Sequence, residues 1–222
     1  MRMHKKGHLE ERLENCADIL TVADLSDKNM KRAAEAKEYL DLVKIFGNTN
    51  PVRLEIGCGK GKFVCETAKL NPGINYVGCE KISNVLIEAL ERVKDENIKN
   101  VYFLNCAAEV LTKYFADGSV DKIYLNFSNP LPKEGYKKQR LTHPRFLRIY
   151  RRLLKPGGEI VQKTDDGDFF EFSRESMLSE GFIQKYVCFD YAQPVEGDVE
   201  TEHERLFKSR GKKIYRSVFA AP

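Results

Sequence analysis

Three glycines and two acids stand where a chain can hold a nucleotide-type cofactor. Gly57, Gly59 and Gly61 follow a short β-rich run and precede a helical segment. Because glycine has no Cβ, this loop lets a ligand lie against the main chain. Glu55 stands two positions before the first glycine, and Glu80 closes the next predicted strand, 19 positions after the last one. An acid at the end of that strand can bind both hydroxyls of a ribose.

The spacing of the glycines distinguishes between the cofactors that such a loop can bind. A dinucleotide places its pyrophosphate on a helix start of the form G-x-G-x-x-G, whereas here the third glycine comes one residue earlier. Glu55 would also repel a pyrophosphate, but it suits a cationic ligand that carries an amine and a sulfonium. No Lys-Ser or Lys-Thr pair follows the last glycine, which excludes a P-loop. The pattern therefore favours S-adenosylmethionine, and E-x-G-x-G-x-G resembles the loop of the class I methyltransferases.

Predicted strands and helices alternate along the chain, which is typical of a parallel sheet covered by helices. β-rich runs predict seven strands, at residues 52–56, 75–79, 101–105, 120–127, 159–163, 183–189 and 213–219. Helical spacing of apolar residues predicts helices at residues 30–46, 62–70, 82–94, 108–115, 143–154 and 169–179. The predicted fold is α/β and Rossmann-like, with a seven-stranded, mostly parallel sheet and helices on both faces. Residues 1–30 are polar and aperiodic and predict a basic N-terminal arm, and residues 31–222 are predicted to form a single domain.

Composition places the chain among ordinary globular proteins. It has 222 residues, of which 42% are hydrophobic and 32% charged, and these values argue against disorder or a disulfide-stabilised miniprotein. No run of apolar residues is long enough to predict a membrane helix, and the basic start lacks the apolar core of a secretory signal. The six cysteines are scattered, without a C-x-x-C pair or a histidine at zinc-ligand spacing. They predict reduced thiols, no metal site and a cytoplasmic location.

Positive charge is concentrated in one segment, although the net charge is only +4. Between Glu134 and Glu159 there is no acidic residue, and this interval holds eight lysines and arginines. The rest of the chain contains more acidic than basic residues, apart from a second basic cluster between Lys208 and Arg216. Two interpretations remain open: a solvated charged face, or a surface that binds a polyanion such as a nucleic acid.

Four ordered motifs together resemble the bacterial tRNA (guanine-N7-)-methyltransferases. Residues 126–133 read N-F-S-N-P-L-P-K, similar to the family's N-F-x-D-P-W-P-K, and R-L-T follows at residues 140–142. Residues 163–165 read K-T-D, residues 201–204 read T-E-H-E, similar to T-E-Y-E, and I-Y-R stands at residues 214–216. The resemblance covers residues 30–219. It implies transfer of a methyl group from S-adenosylmethionine to N7 of a guanine in tRNA, in this family within the variable loop.

The resemblance also implies roles for individual residues. Those implied to bind the cofactor are Glu55, Gly57, Gly59, Gly61, Glu80, Asn105, Cys106, Ala107 and Asn129. Asn129 would also be the catalytic residue, at the site of methyl transfer. The guanine nucleotide would contact Lys133, Asp165, Thr201 and Glu204. The basic segment would bind RNA phosphates through Lys137, Lys138, Arg140 and Arg145.

Three positions depart from the family's pattern. Ala107 stands where Asp is frequent, Leu131 replaces the Trp of P-W-P, and Asn129 replaces Asp. Guanine N7 has a free lone pair, so methyl transfer needs alignment rather than a general base. The product ring is cationic, so a carboxylate favours the transition state, and Asp165 or Glu204 could supply one.

Two alternatives stay open from the sequence. One is a class I methyltransferase that acts on another RNA or on a small molecule. The other is a non-catalytic RNA-binding protein that keeps the fold, which only the replacements at Asn129 and Ala107 favour. A monomer and a homodimer are both compatible with the sequence.

Overall fold

The strands of the protein join edge to edge into a single sheet. The structure is a computed structural model that describes residues 6–23, 30–195 and 197–222. The strands within these ranges are β1 (Leu20–Val22), β2 (Val52–Ile56), β3 (Asn75–Cys79), β4 (Val101–Asn105), β5 (Val120–Asn126), β6 (Leu154–Thr164), β7 (Ile183–Cys188) and β8 (Tyr215–Ala220). Their order across the sheet is β1-β4-β3-β2-β5-β6-β8-β7. The first six strands in this order run parallel, whereas β8 is antiparallel to both β6 and β7.

Helices cover both faces of this sheet. They are α1 (Leu9–Glu14), α2 (Met30–Glu35), α3 (Leu42–Phe46), α4 (Lys62–Leu70), α5 (Ser83–Asp95), α6 (Leu111–Tyr114), α7 (Pro144–Leu153), α8 (Gly167–Ser179) and α9 (Glu202–Ser209). Successive residues of β3 show why two layers form, because Tyr76 belongs to one buried apolar cluster and Val77 to the other. Leu147 of α7 packs in the cluster of Val77, and Leu86 of α5 in that of Tyr76. The α/β prediction is confirmed.

All seven predicted strands are present, and the sheet has an eighth, β1. It lies within residues 1–30, beside β4, and Leu9, Cys16 and Leu20 bury apolar side chains against the cluster that contains α5. Ion pairs between Arg12 and Glu91 and between Lys94 and Asp18 also join this stretch to α5. The strand count of seven is therefore wrong by one, because three residues are too few for a periodic signal. Residues 1–5 and 24–29 of the predicted arm lie outside the described residues, and the division of the chain at residue 30 stays a prediction.

The helix predicted at residues 30–46 is interrupted. α2 ends at Glu35, and the backbone N–H groups of Glu38 and Leu40 instead donate to the carbonyls of Lys113 and Tyr114 at 2.8 Å. The chain re-enters a helix at α3, whose first turn is capped by the side chain of Asp41. Tertiary hydrogen bonds here replace the helical bonds that the apolar spacing predicts.

Among the described helices none is long and apolar enough to cross a membrane. The carboxyl ends of β2, β3, β4 and β5 lie side by side at one edge of the sheet. That edge is where ligands bind in open α/β sheets, and the glycine loop follows β2 there.

Candidate active site

The glycine loop between β2 and α4 contains two open positions. Gly57 and Gly59 have φ angles of +78° and +57°, which L side chains rarely adopt, and a Cβ at either would meet no atom within 4 Å. The main chain is therefore exposed to whatever occupies the space beside it. Both residues line a cavity of about 370 Å³.

Gly61 has a different role from the other two glycines. A Cβ at this position would lie 2.4 Å from Cβ of Ala89, so the absence of a side chain lets the start of α4 pack against α5. Gly61 lines neither of the two cavities next to the loop. Gly61 supports the loop on the side that packs against α5. Its predicted contact with the cofactor stays a prediction.

Glu55, at the end of β2, is a buried acid with one oxygen left without a partner. Its side chain is 3% exposed, and its Oε1 accepts a hydrogen bond from Nδ2 of Asn126 at 2.9 Å. Its Oε2 has no hydrogen-bond partner. Burial raises the pKa of Glu55 to about 8, and the hydrogen bond from Asn126 and the nearby backbone N–H of Val64 oppose this shift. A buried carboxylate with a free oxygen is suited to a cationic ligand.

Glu80, at the end of β3, is held by the backbone around it. Its carboxylate accepts hydrogen bonds from the N–H groups of Gly59, at 3.2 Å, and Ile82, at 2.9 Å. Its carbonyl accepts from Nδ2 of Asn105 at 2.7 Å, and Ser83 donates to the amide oxygen of Asn105. Asn105 is thus buried and bonded to protein groups, so it fixes the end of β3 against β4.

Two cavities meet at the loop. The larger, about 610 Å³, is lined by Glu80, Cys106, Ala108, Glu109 and Asn129 among others. The smaller one is lined by Glu55, Asn126, Thr201, Glu202 and His203 among others. Both are lined by Gly57 and Phe127, so these two residues separate them.

The loop after β5 carries Asn129 to the larger cavity. Phe127 has a φ of +50°, and its N–H donates to the carbonyl of Lys163 at 2.8 Å. The side-chain oxygen of Asn129 accepts from the N–H of Leu131 at 3.1 Å, which closes a turn typical of asparagine. The sequence therefore directs Asn129 into the cavity through a local hydrogen bond that aspartate could also make.

Arg140 supports this loop and is not a surface group. Its side chain is 6% exposed, it donates to the carbonyl of Leu131 at 3.3 Å, and its guanidinium lies 4.4 Å from the ring centre of Phe172. This burial argues against the predicted contact between Arg140 and an RNA phosphate, which stays a prediction. Burial of a long cationic side chain beneath a loop is not visible in a charge count.

The other predicted phosphate contacts lie at the surface in ion pairs. The Nζ atom of Lys137 lies 2.7 Å from Oε2 of Glu134. The Nη2 atom of Arg145 lies 2.8 Å from Oε1 of Glu109, which lines the larger cavity. Lys138 is exposed. Acids from elsewhere in the chain thus compensate part of the charge of the basic segment. Exposed pairs of this kind are weak and can be exchanged for a phosphate.

The residues predicted to contact the guanine are separated by the structure. Thr201 lines the smaller cavity, and its hydroxyl caps α9 by accepting from the N–H of Glu204 at 3.0 Å. Glu204 is fully buried beside Lys163. Lys133 is exposed, and Asp165 pairs with Lys212; neither lines the two cavities.

Comparison with known proteins identifies the family. A family model described as a putative methyltransferase matches residues 49–217. A tRNA (guanine-N(7)-)-methyltransferase from Geobacillus sp. (strain WCH70) is 45% identical over 180 residues, which are 81% of this chain and 82% of that protein. The chain belongs to the tRNA (guanine-N7-)-methyltransferase family. The resemblance of the four motifs is confirmed.

Solved structures place this family member on the methyltransferase fold. The 16S rRNA methyltransferase KamB matches with a TM-score of 0.62 at 16% identity, over 84% of this chain and 96% of that one. A 30S ribosomal A1408 methyltransferase from an uncultured bacterium matches with a TM-score of 0.60 at 17% identity, over 83% and 96%. Identities this low bear on the fold alone.

The site of this family member fits S-adenosylmethionine. The free oxygen of Glu55 can accept from an ammonium group, and Gly57 and Gly59 leave room against the main chain. Glu80 lies at the end of β3, where an acid can bind a ribose. Cys106 and Ala108, on either side of Ala107, supply apolar surface to the larger cavity. Among the described residues no group of three metal-binding side chains comes together.

Several residues of the site escape prediction from the sequence. Asn126 holds Glu55, Phe127 divides the cavities, and Glu202 and His203 line the smaller one. Asn126 and Phe127 belong to the N-F-S-N motif, and Glu202 and His203 belong to T-E-H-E. The motifs therefore pointed to the right segments, although not to these residues. Which motif positions face the cavity depends on the cap at Thr201 and the turn at Asn129, and spacing does not reveal either.

Proposed function

We propose that this protein transfers the methyl group of S-adenosylmethionine to N7 of a guanine in tRNA. The observation that carries the proposal is the arrangement of two cavities that share Gly57 and Phe127, with the buried acid Glu55 beside them. The relative from Geobacillus, which is 45% identical, is named as a tRNA (guanine-N(7)-)-methyltransferase. Membership of the family supports tRNA as the substrate, and the two cavities supply the space in which the cofactor and the target base would bind.

The residues that would hold the cofactor come from three strand ends. Glu80 and Cys106 line the larger cavity and would bind the nucleoside part. Glu55 and Gly59 line the smaller cavity and would bind the amino-acid part, with the free Glu55 oxygen accepting from its ammonium group. When bound, S-adenosylmethionine supplies a methyl group on a positively charged sulfur, and the positive charge moves to the purine as N7 takes this methyl group.

The residues of the protein contribute alignment more than proton transfer. Guanine N7 has a lone pair that carries no proton, so no side chain has to act as a base. Asn129 lines the larger cavity with its turn fixed by Leu131, and it brings an uncharged amide where the family has a carboxylate. Phe127 and Thr201 would bound the space for the incoming base. Exclusion of water between these walls strengthens the electrostatic effect of Glu55.

RNA would be held outside the cavities. Lys137, Lys138 and Arg145 are the exposed or half-exposed cations of the basic segment that we assign to phosphates. Lys133 and Asp165 stay candidates for contacts to the target nucleotide. A protein that acts on tRNA is expected in the cytoplasm, as a monomer or a homodimer.

The test is incorporation of a labelled methyl group into tRNA that lacks the modification. We expect transfer to unmodified tRNA and none to the same tRNA with 7-deazaguanine at the modified position, because that base has carbon in place of N7. Glu55→Gln should reduce transfer at a fixed cofactor concentration. Binding of tRNA without any transfer would instead favour the non-catalytic alternative, for which the replacement at Asn129 is the supporting observation.

A further inference from the structure

The two glutamates of the T-E-H-E motif have opposite surroundings. Glu204 is completely buried, and both of its oxygens are occupied. Its Oε2 accepts from Nζ of Lys163 and its Oε1 from Nζ of Lys208, each at 2.8 Å. Releasing this carboxylate to a substrate would leave the buried ammonium of Lys163 with one acid fewer. The carboxylate of Glu204 therefore has a structural role and no oxygen left to bind a substrate.

Glu202 is the acid of the motif that faces the smaller cavity. Its side chain is 51% exposed, and its carboxylate lies 3.8 Å from Nζ of Lys62, another residue of the same cavity. A long, exposed ion pair is weak and readily exchanged. Glu202 is also the first residue of α9, directly after the cap at Thr201, so the helix start fixes its place.

Lys163 connects the two walls of this cavity. Its carbonyl accepts from the N–H of Phe127 at 2.8 Å, and its ammonium binds Glu204 of α9 and Asp198 of the preceding loop, also at 2.8 Å. The ring of Phe127 in turn lies 5.9 Å from the ring of His203, in a stacked orientation. One buried lysine thus sets how α9 stands against Phe127.

Guanine presents two parallel donors, N1–H and the N2 amino group, on its Watson–Crick edge, and a carboxylate can accept both at once. We propose that Glu202, rather than Glu204, binds this edge of the target guanine, while Glu204 and Lys163 act as positioning residues that hold α9 against Phe127. The proposal rests on the proposed function and names the group that gives it base specificity.

The experiment compares guanine with inosine at the methylated position of an otherwise identical tRNA. Inosine keeps N7 and N1–H but lacks the N2 amino group, so it tests the contact without removing the acceptor atom. For the native enzyme we expect kcat/KM to be about 10- to 100-fold lower on the inosine tRNA. Glu202→Gln should lower kcat/KM on guanine by a similar factor and bring the ratio between the two tRNAs close to one.

Matched variants distinguish recognition from positioning. Glu204→Gln should lower kcat/KM on both tRNAs by the same factor and keep their ratio, because a positioning residue does not contact N2. Glu200→Gln, next to the motif but outside the cavity, should also keep the ratio. Because Glu202 is half exposed, its variant is expected to fold, and an unchanged circular dichroism spectrum and unfolding midpoint check this.

Three outcomes would overturn the inference. They are a native enzyme that treats guanine and inosine alike, a Glu202→Gln variant that keeps the native ratio, and a Glu204→Gln variant that alone loses it. In each of these cases N7 methylation of tRNA by the native enzyme still supports the proposed function. Absence of any methyl transfer by the native enzyme overturns the proposed function and this inference together.

Discussion

The ammonium group of Lys163 lies 2.8 Å from the carboxylate of Glu204, and both side chains are at most 1% exposed. Lys163 comes from the end of β6 and Glu204 from α9, which are 41 positions apart in the chain. This pair joins the sheet to the helix that lines the smaller cavity. Asp198 adds a second acid to the same ammonium, and Lys208 beside Glu204 and Arg216 beside Asp198 supply further positive charge.

Removal of the lysine tests this buried cluster. Lys163→Met should lower the free energy of unfolding by about 3–5 kcal/mol, because Glu204 and Asp198 would remain buried with fewer cationic partners. Lys208→Met removes a partner that is 22% exposed and serves as the control, with a smaller expected loss of about 1–2 kcal/mol, because Lys163 still binds the carboxylate of Glu204. Urea denaturation of each variant measures both values. A loss below that of Lys208→Met would contradict the central place of Lys163.

The glycine loop allows a test in which two glycines differ in outcome. Gly61→Ala should lower the free energy of unfolding by about 2–5 kcal/mol, because its Cβ would overlap Ala89 and its φ is +73°. Gly57→Ala meets no neighbour and should lower it by only about 1–2 kcal/mol, yet weaken cofactor binding. The double variant Gly61→Ala/Ala89→Gly should recover part of the loss. Equal destabilisation by Gly57→Ala and Gly61→Ala would show that packing against Ala89 is unimportant.

The sequence predicted the sheet well because its central strands are local, strongly apolar runs bounded by turns. β2 to β5 fall within one residue of their predicted bounds, since Leu54, Val77 and Leu104 belong to runs buried on both faces. β1 escaped prediction because its stability comes from pairing with β4, a contact distant in the chain. α9 escaped because the side chain that it buries is the acid Glu204 rather than an apolar residue.

The sequence predicted which residues lie near the site better than it predicted whether their side chains are buried or exposed. Glu55 and Glu80 stand at strand ends in motifs, and the structure puts both beside the cavities. Arg140 and Glu204 were predicted to be available to ligands, but tertiary packing buries them. Burial of a charged side chain depends on partners from other elements, Phe172 for Arg140 and Lys163 for Glu204, and a linear pattern does not contain this information.

The pKa of Glu55 predicts a pH dependence of cofactor binding. Burial raises this pKa to about 8, so without ligand the group is mainly protonated at pH 7. A bound ammonium group favours the carboxylate and thereby lowers the pKa, so binding releases a proton. The affinity for S-adenosylhomocysteine should therefore rise by up to about tenfold per pH unit between pH 6 and about 8.

Calorimetry in buffers of different ionisation enthalpy measures this proton release directly. We expect nearly one proton per ligand at pH 7 for the native protein and none attributable to residue 55 in Glu55→Gln. Without ligand, the raised pKa means that Glu55 stabilises the fold below its unfolded pKa, near 4.5, and that this contribution is lost as the pH rises through about 8. Binding that is independent of pH in the native protein would contradict the assignment of Glu55.

Salt dependence tests the surface assigned to RNA phosphates. If Lys137 and Lys138 each neutralise a phosphate, changing both to alanine should reduce the slope of log affinity against log salt by roughly 1–2. Arg140→Met removes a buried charge that the assignment leaves out of RNA binding, so it should leave the slope unchanged. Filter binding of tRNA at several salt concentrations gives the slopes. A lower slope for Arg140→Met, with Lys137 and Lys138 without effect, would reverse the assignment.

Asn129 offers a test of how charge acts on methyl transfer. Asn129→Asp can keep the turn, because a carboxylate also accepts from the N–H of Leu131, now 3.1 Å from the amide oxygen. The new negative charge would lie beside the purine as it becomes cationic, so single-turnover methyl transfer should be about tenfold faster or more. The affinity for tRNA should change little, since the effect belongs to the transition state rather than to binding. Asn129→Ala removes the turn and should slow transfer, and a slower Asn129→Asp enzyme would mean that the neutral amide itself is required at this position.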